Sequence, residues 1–167
     1  MKMYEICIPT FVHTLKALRA IVDKAAAHAE AKKFDPAVLV SARLFPDMLP
    51  FSRQIQIASD AAKGCAARLA GVEPPKFEDK ETTLAELLAR IDRTVDYLQS
   101  VTPESLDGPE DRPITVQTPR GPLSFSAASY VRHWALPNFF FHVTTAYALL
   151  RHNGVEVGKA DFLGRPA

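Results

Sequence analysis

Apolar residues recur along this chain at three- and four-residue spacing in four long runs, each closed by a proline, a glycine or a polar cluster. That period puts them on one face of an α-helix. The first run extends from about Tyr4 to Ala31. Phe11, Leu15, Leu18, Val22 and Ala25 mark its buried stripe, and Lys16, Arg19 and Asp23 take solvent positions. Pro9, near its start, fits the first turns or a kink. Phe34-Asp35-Pro36 reads as a fresh start, with Asp35 as N-cap and Pro36 at the first helical position of a short helix reaching Leu44. The second long helix is predicted to follow Pro46. Met48, Phe51, Ile55, Ala58, Ala62, Cys65 and Leu69 form its seam, and Gly71 with Pro74-Pro75 stops it. Ala58, Ala62 and Ala66 are small enough for a neighbouring helix to approach closely.

Thr83-Leu-Ala-Glu86 announces the third long helix as a capping box, and Leu84, Leu87, Leu88, Ile91, Val95 and Leu98 make its stripe. Residues Thr102 to Arg112 are rich in Pro, Gly, Asp and Glu and read as a surface loop. Ile114–Gln117 and Leu123–Phe125 flank Thr118-Pro-Arg-Gly121, a hairpin that must pack on helices because an isolated one is barely stable. The last helix starts near Ser126, kinks or restarts at Pro137 and ends at Asn153-Gly154. Val155 to Ala167 carries no helical period. The expected fold is all-α: a four-helix bundle with a short β-hairpin before the last helix, in one domain over residues 1–167. The long connection after the third helix argues against a simple up-down array.

Composition narrows the partners. A chain of 167 residues, 47% hydrophobic and 23% charged, is long and apolar enough to bury a core, which excludes disorder. Twenty basic and nineteen acidic residues are interspersed for a net charge of +1, so no nucleic-acid partner is expected. Charges interrupt every apolar stretch, so no membrane partner is expected either. Cys7 and Cys65 lie far apart among apolar residues and read as free core thiols; with no leader-like N-terminal run, the expected location is cytoplasmic. The chain carries no nucleotide-binding glycine loop, nucleophile elbow, His-Glu-x-x-His or CxxC motif.

The chemistry-bearing residue is His142, on the core-facing side of the last helix. At about 100° per residue from Asn138, His142 falls near 40°, Ala146 near 80° and Leu149 near 20°, so Asn138 and His142 share an apolar stripe one turn apart. Burying an imidazole is costly without a partner. One reading is a hydrogen-bonded network that fixes helix register. The other is a central pocket lined by Asn138 and His142 with Asp47 and Gln54 from the inward side of the second helix. His133 and Trp134 precede the Pro137 kink, where they roof a pocket or simply pack. His13 reads as solvated, His28 as a cation favoured at a helix C-terminus, and His152 as a cap on the last carbonyls of its helix. Phe139-Phe-Phe141 spans too much of the helix for one core face, so one ring is expected to meet another element or a second subunit. Asp60, Lys63 and Arg68 read as a solvated face with internal ion pairs.

These residues also carry a resemblance. Pro137–His142, Thr144–Tyr147, Leu150–Val155 and Gly158–Gly164, with Arg43–Met48, Gln54, Asp60, Ala67–Gly71, Pro75–Asp79, Glu81, Thr82 and Glu86-Leu87, resemble a bacterial and fungal family of uncharacterised bundle proteins. That family is similar to the DinB/YfiT-like superfamily of four-helix bundles described as metalloenzymes. Many members hold a divalent metal with three histidines, one on the second helix and two spaced by four on the last. Some are metal-dependent thiol transferases or maleylpyruvate isomerase-like enzymes. The resemblance implies that His142, about three turns before Gly154, matches the distal metal ligand. Asn138 stands where the other histidine of that helix belongs, and no histidine occurs between His28 and His133. Asp47 and Gln54 would offer oxygens to a divalent metal, the one cofactor the resemblance implies. The expected function is small-molecule binding or a stress-related role in a homodimer, without a complete three-histidine site. The alternative is a metal- or thiol-dependent transferase using His142 as ligand or base.

Overall fold

The four stripes fold as four long helices in the computed structural model, which describes residues 2–164. The chain forms α1 (Met3–Lys32), α2 (Ala37–Ser41), α3 (Phe51–Ala70), α4 (Leu84–Gln99) and α5 (Pro103–Leu106), then strands β1 (Pro113–Thr118) and β2 (Gly121–Ser126). A last, continuous helical segment comprises α6 (Ala127–Tyr130), a π turn (Val131–Ala135) and α7 (Leu136–His152), and α8 (Lys159–Phe162) follows. α1 packs on α4, α4 on α3, and α3 along α7, giving the expected bundle with a hairpin before its last helix. Phe11, Leu15 and Leu18 of α1, Ile55, Ala58 and Ala62 of α3, Leu87 and Ile91 of α4, and Phe139, Ala146 and Leu149 of α7 are buried in one core.

Several elements differ from the sequence reading: the 102–112 connection, read as a surface loop, holds the short helix α5, whose Leu106 is fully buried in the core. α3 begins at Phe51, not after Pro46, because Pro50 holds the preceding residue in extended backbone and sits as its N-cap at ψ 166°. Met48 therefore continues the apolar spacing only by coincidence, and Asp47 lies on an exposed turn. α2 stops at Ser41, where Ala42 turns extended (ψ 142°), short of Leu44. The tail also contains the short helix α8: Asp161 accepts a hydrogen bond from the Gly158 N–H at 2.7 Å, while Lys24 pairs with Asp161 at 2.6 Å and His13 Nε2 bonds the Leu163 carbonyl at 2.9 Å. His13 is exposed, as its position off the stripe predicts, and its ring contact pins this tail to α1. Of the predicted tail, residues 165–167 lie outside the described residues.

The π turn replaces the predicted kink at Pro137. A proline inside an α-helix lacks a donor and clashes with the carbonyl four residues back. The wider i→i+5 turn at Val131–Ala135 shifts that pattern directly upstream, so the helix runs through Pro137 without breaking. The hairpin docks on this segment. Ile114 and Val116 alternate inward along β1, and Phe125 of β2 meets Tyr130 and Trp134 at ring-centroid distances of 6.1 and 5.8 Å.

Candidate functional site

α3 and the α6–α7 segment run antiparallel, and two side-chain pairs set their register. At one end His142 Nδ1 lies 2.7 Å from Gln54 Oε1. Gln54 Nε2 donates to the Leu49 carbonyl at 2.9 Å, which orients the amide oxygen toward the imidazole, so Nδ1–H is the donor. His142 is 8% exposed. Burial, reinforced by the positive charge of Arg53, holds its pKa below the usual histidine range. The ring is therefore neutral, and its Nε2 is an acceptor with no hydrogen bond among the described residues. At the other end Arg68 Nη1 donates to the Tyr130 hydroxyl at 3.3 Å.

Between these anchors α3 and the helix opposite it part around a cavity of about 200 Å³. Its α3 side carries Ile57, Asp60, Ala61 and Arg68; facing it are Tyr130, Trp134, Ala135 and Asn138, and Val116 of the hairpin closes one wall. Burial pushes the Tyr130 phenol pKa far up, so it keeps its proton. The Asn138 amide makes no hydrogen bond among the described residues, although the residue is half-buried. Trp134 is the single tryptophan of the chain.

On its other flank α3 carries a charge network that periodicity does not reveal. Arg90 of α4 is 2% exposed. Its Nη2 reaches Asp60 at 2.9 Å and Asp79 at 3.0 Å, and its Nη1 reaches Glu81 at 2.9 Å. Arg53 bonds Asp79, Gln56 Nε2 donates to Glu81 at 2.8 Å, and Lys63, 6% exposed, pairs with Asp60 at 2.8 Å. The Phe77 ring takes Arg93 at 3.9 Å and Lys63 at 4.9 Å from its centroid. Together these contacts fasten the 72–83 connection across α3 and α4. Asp60 and Lys63 do pair as read from the sequence, but as part of a partly buried network, not on a solvated face. The available signal was an arginine three residues after Leu87, on the apolar side of α4.

Of the five residues picked from the sequence, only His142 and Gln54 meet. Asn138 and Trp134 line the cavity one turn apart, away from the imidazole, and Asp47 is exposed on its turn. Phe139 is buried edge-on against Phe11 at 4.8 Å, while Phe141 is the ring left outside, 57% exposed. The donors do not fit a three-ligand metal centre. One imidazole and one amide meet, the third corner faces elsewhere, and no group of three His, Cys, Asp or Glu side chains among the described residues could hold an ion. Cys7 and Cys65 are free and fully buried, closed to any external thiol chemistry.

This architecture is that of a DinB-like bundle: the crystal structure of a DinB family member from Shewanella denitrificans matches it with a TM-score of 0.90 at 43% sequence identity, covering 98% of this chain and 93% of that one. The chain belongs to the family described as Domain of unknown function (DUF1993), whose model matches residues 3–163. No curated protein matches it. No helix among the described residues is long and apolar enough to cross a membrane.

Proposed function

We propose that this protein binds a small molecule in the cavity between α3, the hairpin and the π turn, and holds it without transforming it. The observation that carries this reading is the convergence of an indole, a phenol, a guanidinium and an unpartnered amide on one apolar-walled cavity of about 200 Å³. Ligand sites are built in this way, mostly apolar with a few placed polar groups, and this one lies below the ~300–1,000 Å³ of drug-sized sites, so its ligand is small. The lining supports holding over chemistry. Asp60 is engaged by Arg90 and Lys63, and Tyr130 is kept protonated by burial, so neither serves as a base near neutral pH.

Ligand-observed NMR with a small fragment set, on the wild type and on Ala61→Phe, tests this. Ala61 lines the cavity and a phenyl ring would fill it. Binding that disappears in Ala61→Phe supports the reading; binding indifferent to it places the ligand elsewhere.

The bare Nε2 of neutral His142 favours a second reading, in which that imidazole acts as a base or metal donor toward a molecule reaching the α3–α7 end. Elemental analysis of untagged protein beside His142→Ala discriminates. Stoichiometric metal lost in the variant would favour this second reading over the first.

A further inference from the structure

Among the described residues five arginines are partly or fully buried. Arg19 pairs with Asp23 and Asp92, Arg53 with Asp79, and Arg90 with Asp60, Asp79 and Glu81. Arg112 is satisfied by the backbone oxygens of Leu69, Leu106 and Pro109. Arg68 differs from all four. Its one acceptor is the neutral Tyr130 hydroxyl, at 3.3 Å. A guanidinium offers five N–H donors in a planar fork matched to a carboxylate, so most of that capacity is left for the cavity Arg68 lines.

Gly64 explains how the guanidinium comes to lie there. A Cβ at position 64 would stand 2.5 Å from Arg68 Nη1, so the fork rests against the α3 backbone where a side chain is missing. Asp60, the acid on the same cavity, is eight residues away, roughly 12 Å along the helix. Its carboxylate is already shared by Arg90 and Lys63. The Arg68 end is therefore electropositive, with Trp134, Ile57 and Val116 supplying apolar lining.

We propose that the cavity takes a small organic carboxylate with a flat apolar body, its carboxylate on the Arg68 fork and its body between Trp134, Ile57 and Val116. This rests on the binding reading above and adds the charge and class of the ligand. Asn138, eight residues from Tyr130 along the opposing helix, lies at the far end, where its free amide would meet a polar substituent.

Benzoate and benzamide share shape and differ in charge, and Trp134 as the lone tryptophan reports on both. In a fluorescence titration of the full chain at low ionic strength, benzoate is expected to give a saturable change with about tenfold tighter binding than benzamide. Arg68→Met should abolish that preference. Gly64→Ala, which displaces the guanidinium and keeps its charge, should do the same with an unchanged far-ultraviolet circular dichroism spectrum. Equal affinity for the two probes, or a preference that survives in Arg68→Met, overturns the carboxylate assignment and leaves the binding reading standing. No saturable response to benzoate, benzamide or any neutral or cationic fragment overturns both.

Discussion

Arg90 is the cation that three carboxylates of this fold share, and its removal would leave Asp60, Asp79 and Glu81 facing one another across α3 and α4. Breaking a buried ion pair by deleting one partner costs about 3–5 kcal/mol. Asp60 and Asp79 are partly solvated, so the lower end applies, and Arg90→Met is expected to lower unfolding free energy by roughly 3 kcal/mol in urea titration. A loss under about 1 kcal/mol would mean that water, not Arg90, satisfies those carboxylates. Gly64→Ala should behave in the opposite way. The atom its Cβ meets is the end of a flexible side chain, and the helix interior gains up to about 1 kcal/mol from the change. Stability and binding thus separate between adjacent helices, because Arg90 of α4 is fastened by charges and Arg68 of α3 is not.

At the scale of elements the π turn is decisive. It carries the one residue that a regular α-helix would not accommodate, and so sets the rotation of Tyr130 and Trp134 relative to Asn138 and His142. Deleting His133, which is exposed, should return the segment to α register. The expected outcome is retention of helical content and of the hydrogen-bonded His142 Nδ1–H proton in NMR, with loss of the Trp134 response to benzoate. Undiminished binding in the deletion would show that the turn does not shape the cavity. The turn is also where sequence reading failed. A 3.6-residue period makes the stripes of α1, α3, α4 and α7 legible, and it put Gln54 and His142 on facing sides. It has no term for a wider turn, so the strain at Pro137 was visible but its solution was not. The start of α3 was legible in Pro50, yet Met48 matched the spacing by chance and drew Asp47 into the site. A wheel for a single helix places Asn138 beside His142; the neighbouring α3 divides that face, sending one side chain to Gln54 and the other to the cavity. Of the Arg90 network only the helical members left a signal, Arg90 on the apolar side of α4 above all; Asp79 and Glu81 come from the aperiodic 72–83 connection, which leaves no pattern to read.

The whole molecule carries nearly balanced charge, net +1, so near-neutral stability is governed by a few buried groups and not by general repulsion. On the acid side His142 acts first. Its folded pKa is depressed by burial and by Arg53, so below about 6.5 the unfolded chain takes up a proton that the folded chain refuses, and stability falls with pH. Asp79 and Glu81 act lower down: against the opposing effect of burial, Asp79 is held below its usual range by Arg53 and Arg90, and Glu81 by Arg90, a backbone N–H and Gln56. Their contribution is complete above about pH 4.5 and is lost as pH falls through their folded values. On the alkaline side the sign reverses. The neighbouring Cys7 thiol and burial push Cys65 well up, and burial does the same for Tyr130, so above about pH 8.5 the unfolded chain ionises first and stability falls as pH rises. Melting temperature is therefore expected to plateau between about pH 6.5 and 8.5, with two separable limbs. His142→Gln should extend the plateau toward about pH 5 and leave the alkaline limb alone, whereas Cys65→Ala should move the alkaline limb only. Scanning calorimetry of the three proteins across pH 4–10 checks this. An acid limb in His142→Gln that still begins near pH 6.5 would assign that limb to another group and detach the neutral imidazole from the stability of the α3–α7 contact.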